Sequence, residues 1–368
     1  MVQLPRYKSL IVPIVIVICL AYYNYASGYV VAYKEIYQHR SKAGAIVIWV
    51  FEGLLQIELF VTWLVILIRG PGRTPKIPLF DIYGTKDPEL LAVPDIFICD
   101  ENGYPYWCSV CHSVKPKRSF HIKGLDRCVP RFDHKCIWIG TSVGRDNLVL
   151  FIQFLLQFGS LFVIALVSAA VTARSAFDRD NQTIPHYVVI FVCSVLWLPM
   201  IFGLLLQQTA FAFTNRTTID DIHMKQARKY NEWKKGDESS LPACLRNHYQ
   251  REETGIRYVN YRTKNSRVVV PFAVLDHPYS EGFKRNITRI VYGESDESLF
   301  WSALFHLSVP MGPLLVKRQM PDIETYEAAS EPFSKKFMNL IQDKISKGDC
   351  TTPLYIPKEV EPIESTQA

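Results

Sequence analysis

Residues Leu148–Thr172 read LVLFIQFLLQFGSLFVIALVSAAVT, twenty-five positions without an Asp, Glu, Lys or Arg. About 20 such residues wound as an α-helix cross the hydrocarbon core of a bilayer. Three more windows of this kind lie outward from it, at His186–Phe213, Ala45–Ile68 and Leu10–Val30. None of the 41 Lys and Arg falls in the four windows, and of the 35 acidic residues only Glu52 and Glu58 do. Four charge-poor runs of this length exclude a soluble helical protein and predict four transmembrane helices. The first window follows Arg6 and Lys8, as a secretory leader would. Tyr22, Tyr23 and Tyr25 stand where a small-residue cleavage site belongs, so the window is read as an anchor. Gln153 and Gln157, four apart on one helix face, suit hydrogen bonds between spans.

The loops orient the spans. Twelve Lys and Arg lie in residues 69–147, against three in 31–44 and two in 173–185. The positive-inside rule therefore places the long central loop and both termini in the cytosol. The aromatic content of 13% excludes a disordered chain, and nine cysteines in 368 residues are too sparse for a disulfide-stapled secreted domain. In a reducing compartment, thiols favour metal binding or catalysis.

The central loop divides at its composition. Residues 69–103, with Gly70-Pro71-Gly72, Pro75, Pro78, Pro88 and Pro94, read as irregular linker, whereas 104–147 concentrate four cysteines within 29 positions. Cys108 and Cys111 have the spacing that places two sulfurs on one ion, and His121 and Cys128 are near enough in the chain to complete a tetrahedral zinc site. A redox pair is the competing reading, but no thioredoxin-like strand pattern surrounds it.

Cys136 is set differently. His134, two residues earlier, can withdraw the thiol proton, and Asp133 can orient the imidazole and stabilise its cation. Arg131, Lys135 and Arg145 add positive charge that favours a thiolate. The next span starts about twelve residues later, so this thiol belongs at the cytosolic membrane surface. Acyl transfer is the chemistry that such a placement suggests.

The stretch from Cys108-Ser-Val-Cys111 through Lys115-Pro-Lys-Arg-Ser-Phe-His121 and Cys128-Val-Pro-Arg-Phe-Asp-His-Lys-Cys136 to Asn147 resembles the cysteine-rich domain of the DHHC-type protein S-palmitoyltransferases. Within that family the fungal Pfa class is most similar. Thr217-Thr218-Ile219-Asp220 resembles its Thr-Thr-x-Glu motif with Asp in place of Glu. Tyr279 and Asn286 stand in what looks like its C-terminal aromatic motif.

The resemblance implies a mainly α, polytopic membrane protein with four transmembrane helices and a small cytosolic zinc-binding domain. Its segments would be 1–68 with spans one and two, linker 69–103, cysteine-rich domain 104–147, spans three and four in 148–213, and cytosolic tail 214–368. It implies Cys136 as acyl-carrying nucleophile, His134 as general base, Asp133 as its orienting group, and Cys108, Cys111, His121 and Cys128 as zinc ligands. Long-chain acyl-CoA, cytosolic cysteines of membrane-associated proteins and the lipid bilayer become the partners, with no nucleic acid. The setting is an endomembrane or the plasma membrane. Lys115, Lys117, Arg118 and Arg131 are candidates to meet the CoA phosphates, or else a solvated basic loop.

The chain also departs from the family. A second zinc site would use the positions held here by Ile122, Leu125, Lys135 and Ser142, so one structural ion is expected rather than two. Gly70 replaces the acid that opens the family's Asp-Pro-Gly. The alternative is a catalytically silent membrane-bound adaptor that kept the zinc fold. A tethered nucleic-acid-binding module is disfavoured by the lack of a basic helix beside the ligands.

Overall fold

In the computed structural model, residues 10–235, 255–264, 266–293, 296–308 and 326–355 are described. They form two compact units, each assembled from segments distant in sequence. The first gathers residues 1–72, 134–214 and 282–319; the second gathers 73–133, 215–281 and 320–368.

The first unit holds four helices long and apolar enough to span a membrane. Helix α1 (Ile11–Asn24) continues into a π-helical segment, Tyr25–Tyr37. Helix α2 covers Lys42–Arg69, α3 Leu148–Arg179 and α4 Ile184–Thr214. The first and third run past their apolar windows, at Val30 and Thr172, into polar sequence. Helical hydrogen bonds need no apolar side chains, so they carry on through the headgroup layer.

Each end has a local cause. Ser41 caps α2 by accepting from the Gly44 amide at 3.1 Å. Gly70, at φ 64, takes the left-handed turn that stops α2. The π-helical turn stacks Tyr25, Tyr29, Tyr33 and Tyr37 with ring centroids 5.4 to 5.7 Å apart.

Helix α3 is the central one: 67% of its apolar window is buried, against 17–22% for the other three. Phe158, Leu161, Phe162 and Ala165 on α3 share a core with Tyr23, Ala26 and Val30 of the first span and with Tyr187, Ile190 and Ile201 of α4. Three polar pairs in this layer join helices, while the buried Gln157 amide and Thr62 hydroxyl have no hydrogen-bond partner among the described residues. Ser27 Oγ donates to Glu52, Tyr23 and Ser194 share a hydrogen bond of 3.0 Å, and Arg179 forms an ion pair with Glu35. Glu52 thus braces the first two spans together. Gln153 and Gln157 are buried on α3, at 2% and 4% exposure.

The second unit is built on a three-stranded antiparallel sheet in which Ile256–Arg262 lies between Ile96–Cys99 and Arg267–Ala273. Strand β1 is Ile96–Cys99, so the linker read from the sequence as irregular contributes an edge strand. Its Ile77 and Phe80 are also buried, in a core with Phe97, Val114, Val269 and Tyr326. The proline spacing hid this: prolines punctuate the stretch, but none lies within Ile96–Cys99. Three hairpins follow, β2 (Trp107–Cys108) with β3 (Ser113–Val114), β4 (Phe120–Ile122) with β5 (Arg127–Val129), and β6 (His134–Cys136) with β7 (Thr141–Val143). The last of these belongs to the first unit, so the expected segment 104–147 divides between residues 133 and 134.

The tail is likewise not one body. After α5 (Thr218–Lys235) it supplies β8 (Ile256–Arg262) and β9 (Arg267–Ala273) to the sheet. It then supplies α6 (Phe283–Tyr292) and α7 (Phe300–Ser308) to the first unit. The short helix α8 (Tyr326–Ala329) and α9 (Lys335–Ser346) return to the second. There Phe333, Phe337 and Ile341 close a core with Val259, Val270, Phe272 and Tyr279.

Candidate functional site

The four expected metal ligands converge. Cys108 ends β2 and Cys111 sits in the turn after it, while His121 and Cys128 face each other across the β4–β5 ladder. Their donor atoms all lie within 4.8 Å of one another, with His121 Nδ1 3.2 Å from Cys111 Sγ and 3.7 Å from Cys108 Sγ. Three sulfurs and one imidazole at this separation fit a tetrahedral zinc ion of closed coordination. Burial pushes the Cys128 thiol well up, and Cys108 and Cys111 beside it add to the shift. A divalent cation among three such sulfurs relieves that crowding by taking them as thiolates. The Thr74 amide donates to the Cys128 carbonyl at 3.1 Å and ties the linker to this hairpin.

Strand β6 arranges the proposed chemistry. Alternate residues of a strand share a face, so His134 and Cys136 point one way and Lys135 the other. Burial follows that pattern: Lys135 is exposed and Cys136 is 6% exposed. Cys136 lies in an apolar cluster with Ile66, Ile139, Val143 and Phe151. The His134 ring meets Phe151 edge to face at 5.5 Å. Trp63 Nε1 donates to the Ile139 carbonyl at 3.1 Å, joining α2 to the hairpin.

Just beyond β6, Trp138 helps line a cavity of about 260 Å³ within the first unit. Its walls include Leu20, Leu59, Phe60, Phe158 and Leu161, with the polar Asn24 and Gln56 among them.

Asp133, 2% exposed, is the last residue of its segment of the second unit. Both carboxylate oxygens are held by Thr218, from its amide at 2.6 Å and from its hydroxyl at 2.8 Å. Thr217 and Asp220 cap the same turn reciprocally, with Thr217 N donating to Asp220 Oδ2 at 2.9 Å. The Asn286 side chain donates to the Phe213 carbonyl at 2.7 Å and fastens α6 to the end of α4. Tyr279 is buried under the Arg118 guanidinium, 4.5 Å from its ring centre, and its carbonyl accepts from Asn215 at 2.9 Å. Burial holds the Tyr279 phenol well above its usual range, hence neutral.

Of the four basic residues considered for CoA, three turn inward. Arg118 pairs with Asp220 and Glu331, and Arg131 with Glu331 at 3.3 Å. Burial alone would lower the Arg118 guanidinium, but the two carboxylates hold it above its ordinary value. Burial lowers Arg131, with Glu331 opposing. Lys117 lies 3.8 Å over the Phe333 ring, and burial brings its ammonium down to about 8. Only Lys115 of the four is part-exposed. Glu331 itself carries no sequence signal: a carboxylate two hundred residues from its partner is recognisable only after folding.

The four positions at which the family's second site would lie are likewise placed. Ile122 and Leu125 are half-buried in the β4–β5 hairpin, and Lys135 faces Ser142 across β6–β7.

Known proteins match this arrangement. The sequence profile of the DHHC palmitoyltransferase family aligns with residues 101–225. Palmitoyltransferase PFA5 of Candida albicans is 36% identical over 95% of this chain and 93% of its own length. The PFA5 palmitoyltransferase of Saccharomyces cerevisiae is 28% identical over 60% of this chain and 64% of its own. Palmitoyltransferase ZDHHC18-A of Danio rerio is 32% identical over 42% and 33%. The match to the Candida protein extends over nearly the whole of both chains, and on that ground the chain belongs to the DHHC palmitoyltransferase family.

Proposed function

We propose that this membrane protein transfers a long-chain acyl group from acyl-CoA to cysteines of membrane-associated proteins, through an S-acyl intermediate on Cys136. The single observation that carries the reading is strand β6, which puts His134 and Cys136 on one face of a hairpin packed into the apolar layer of the spans.

In the first half-reaction His134 takes the Cys136 thiol proton and the thiolate attacks the thioester carbonyl. The carbon–sulfur bond to CoA breaks, and CoA leaves as a thiol after receiving the proton. In the second, a substrate cysteine gives its proton to His134 and attacks the S-acyl group, regenerating Cys136. Both steps exchange one thioester for another, so positioning matters more than bond strength. Asp133, fixed by Thr218, holds the imidazole in the tautomer that accepts at the thiol and steadies the imidazolium.

The 260 Å³ cavity bordered by Trp138 supports an acyl chain lying among the spans. Lys115 is the basic residue left to meet CoA phosphates. One zinc ion, held by Cys108, Cys111, His121 and Cys128, cross-links two hairpins and takes no part in the transfer. The central loop and both termini face the cytosol, where acyl-CoA is found.

The test is labelling of the purified protein by an alkyne-bearing palmitoyl-CoA. Wild type is expected to carry a hydroxylamine-sensitive label and Cys136→Ser none. Undiminished labelling of Cys136→Ser overturns the assignment to Cys136, and a wild type that takes no label returns the silent adaptor as the better reading.

A further inference from the structure

Arg118 and Arg131 each keep only 4% of their side chains exposed, and both hold left-handed backbone, with φ of 58° and 44°. Residues without glycine's freedom persist there only where their surroundings over-determine them. The common partner of the two guanidiniums is Glu331: one carboxylate oxygen pairs with Arg118 Nη1 and the other lies 3.3 Å from Arg131 Nη1.

Glu331 is delivered by a short strap that follows α8. The Lys117 amide donates to Ser330 Oγ at 3.3 Å, the Lys117 ammonium caps Phe333, and Tyr326 meets Phe80 edge to face at 5.3 Å. From the other side, the Phe132 amide donates to the Arg118 carbonyl at 3.2 Å, which links the buried pair to the backbone just before Asp133. Arg131, two residues before Asp133, also feels that carboxylate. Among the described residues, the charged and titratable groups around this point are Lys117, Arg118, Arg131 and Asp133 from the cysteine-rich segment, Asp220 from α5, Tyr279, and Tyr326, Glu327 and Glu331 from α8 and the strap.

We infer that Glu331 is a positioning residue for acyl transfer: by engaging the Arg131 guanidinium it leaves Asp133 to Thr218 and to the support of His134. The inference rests on the roles given above to Asp133, His134 and Cys136. It assigns work at the site to a residue more than a hundred positions beyond the segment 101–225 that the family profile matches.

Without the Glu331 carboxylate, Arg131 keeps its charge, and the carboxylates left to act on it are Asp220 and Asp133. An Asp133 drawn to Arg131 stabilises the His134 imidazolium less, so the imidazole protonates at lower pH. A purely structural loss would lower the amount of active protein and leave the pH of half-activation where it was.

The experiment is the rate of Cys136 labelling by alkynyl palmitoyl-CoA, with the full-length protein in micelles, followed from about pH 5.5 to about pH 8.5. For Glu331→Gln the low-pH limb is expected to move down by about half a unit, with a plateau roughly tenfold lower. The double change Arg131→Gln with Glu331→Gln removes both charges and is expected to return the limb to its wild-type position. Should Glu331→Gln not accumulate, Glu331→Asp carries the same test, since its carboxylate is drawn back by one methylene and its limb should shift in the same direction. An unmoved limb in a protein whose labelling requires Cys136 overturns the role of Glu331 alone. Labelling that survives Cys136→Ser overturns the site reading as well.

Discussion

Hairpins β4–β5 and β6–β7 are built to one plan and supported in two ways. Each has three-residue strands joined by a four-residue connection, 123–126 in one and 137–140 in the other. In the first, the middle rung is His121 opposite Cys128, both in the cluster proposed to hold zinc. In the second, the middle rung is Lys135 opposite Ser142, with no metal chemistry in it. A lone two-stranded hairpin is marginal in water, so each needs something beyond its own ladder. The first has the ligand cluster. The second has Val143 and Ile139 with no exposed surface, in the layer formed by Ile66 and Phe151. Packing on the spans is thus what supports the hairpin bearing Cys136.

The comparison breaks most visibly at the metal. Cys128→Ser, or a strong chelator, is expected to release zinc and open the cysteine-rich segment of the second unit to protease. Structural zinc in small domains is worth on the order of 10 kcal/mol. The β6–β7 hairpin should stay protected in the same digest; its simultaneous cleavage would show that one support serves both.

The converse change is Phe151→Ala. Removing a buried aromatic costs about 3–5 kcal/mol and takes away the ring against which His134 rests. Labelling of Cys136 should fall steeply while zinc content, read by a colorimetric chelator after denaturation, is unchanged. A fall in zinc would mean that the two hairpins share their stability.

A smaller effect is expected from Thr218→Val, which deletes one of the two hydrogen bonds that Thr218 gives Asp133 and keeps the amide. A charge-assisted bond contributes about 1.5–3 kcal/mol, so the acylation rate should drop roughly tenfold or more with little change in unfolding temperature. An unaltered rate would remove Thr218 from the positioning of Asp133.

The smallest concerns Lys117. Burial holds its ammonium at about 8, below the value of a free lysine, so the folded state is penalised wherever Lys117 is protonated. That penalty is complete below about pH 8 and fades as the pH rises toward the ordinary lysine value. The detergent-solubilised protein should therefore gain stability across that interval. Lys117→Met should flatten the gain and raise the unfolding temperature at pH 7 by about 2–4 °C. A steeper profile in the variant would mean that the ammonium over Phe333 is a net stabilising contact.

Much of the frame was legible because its causes are local. A span announces itself by the absence of charge over about 20 residues, and the cluster of Cys108, Cys111, His121 and Cys128 by spacing that a knuckle and a hairpin can close. Sheet order was not legible: Phe97 pairs with Asn260, and nothing near either residue names its partner. Nor was the fate of Arg118 and Arg131, since a basic residue in a loop reads the same whether its counter-charge is a cofactor phosphate or Asp220 and Glu331. The first span hid its π-helical half for a similar reason, because helix type depends on what packs beside it, while the apolar pattern is common to both.

That half has an optical consequence. The phenol rings of Tyr25, Tyr29, Tyr33 and Tyr37 form a continuous stack whose last two members lie 6.3 and 5.8 Å from the indole of Trp49. Tyrosine emission overlaps tryptophan absorption, so rings this near to Trp49 are placed to pass excitation to it. In a variant that keeps Trp49 as its one tryptophan, the ratio of tyrosine to tryptophan emission would gauge whether the first two spans are seated together.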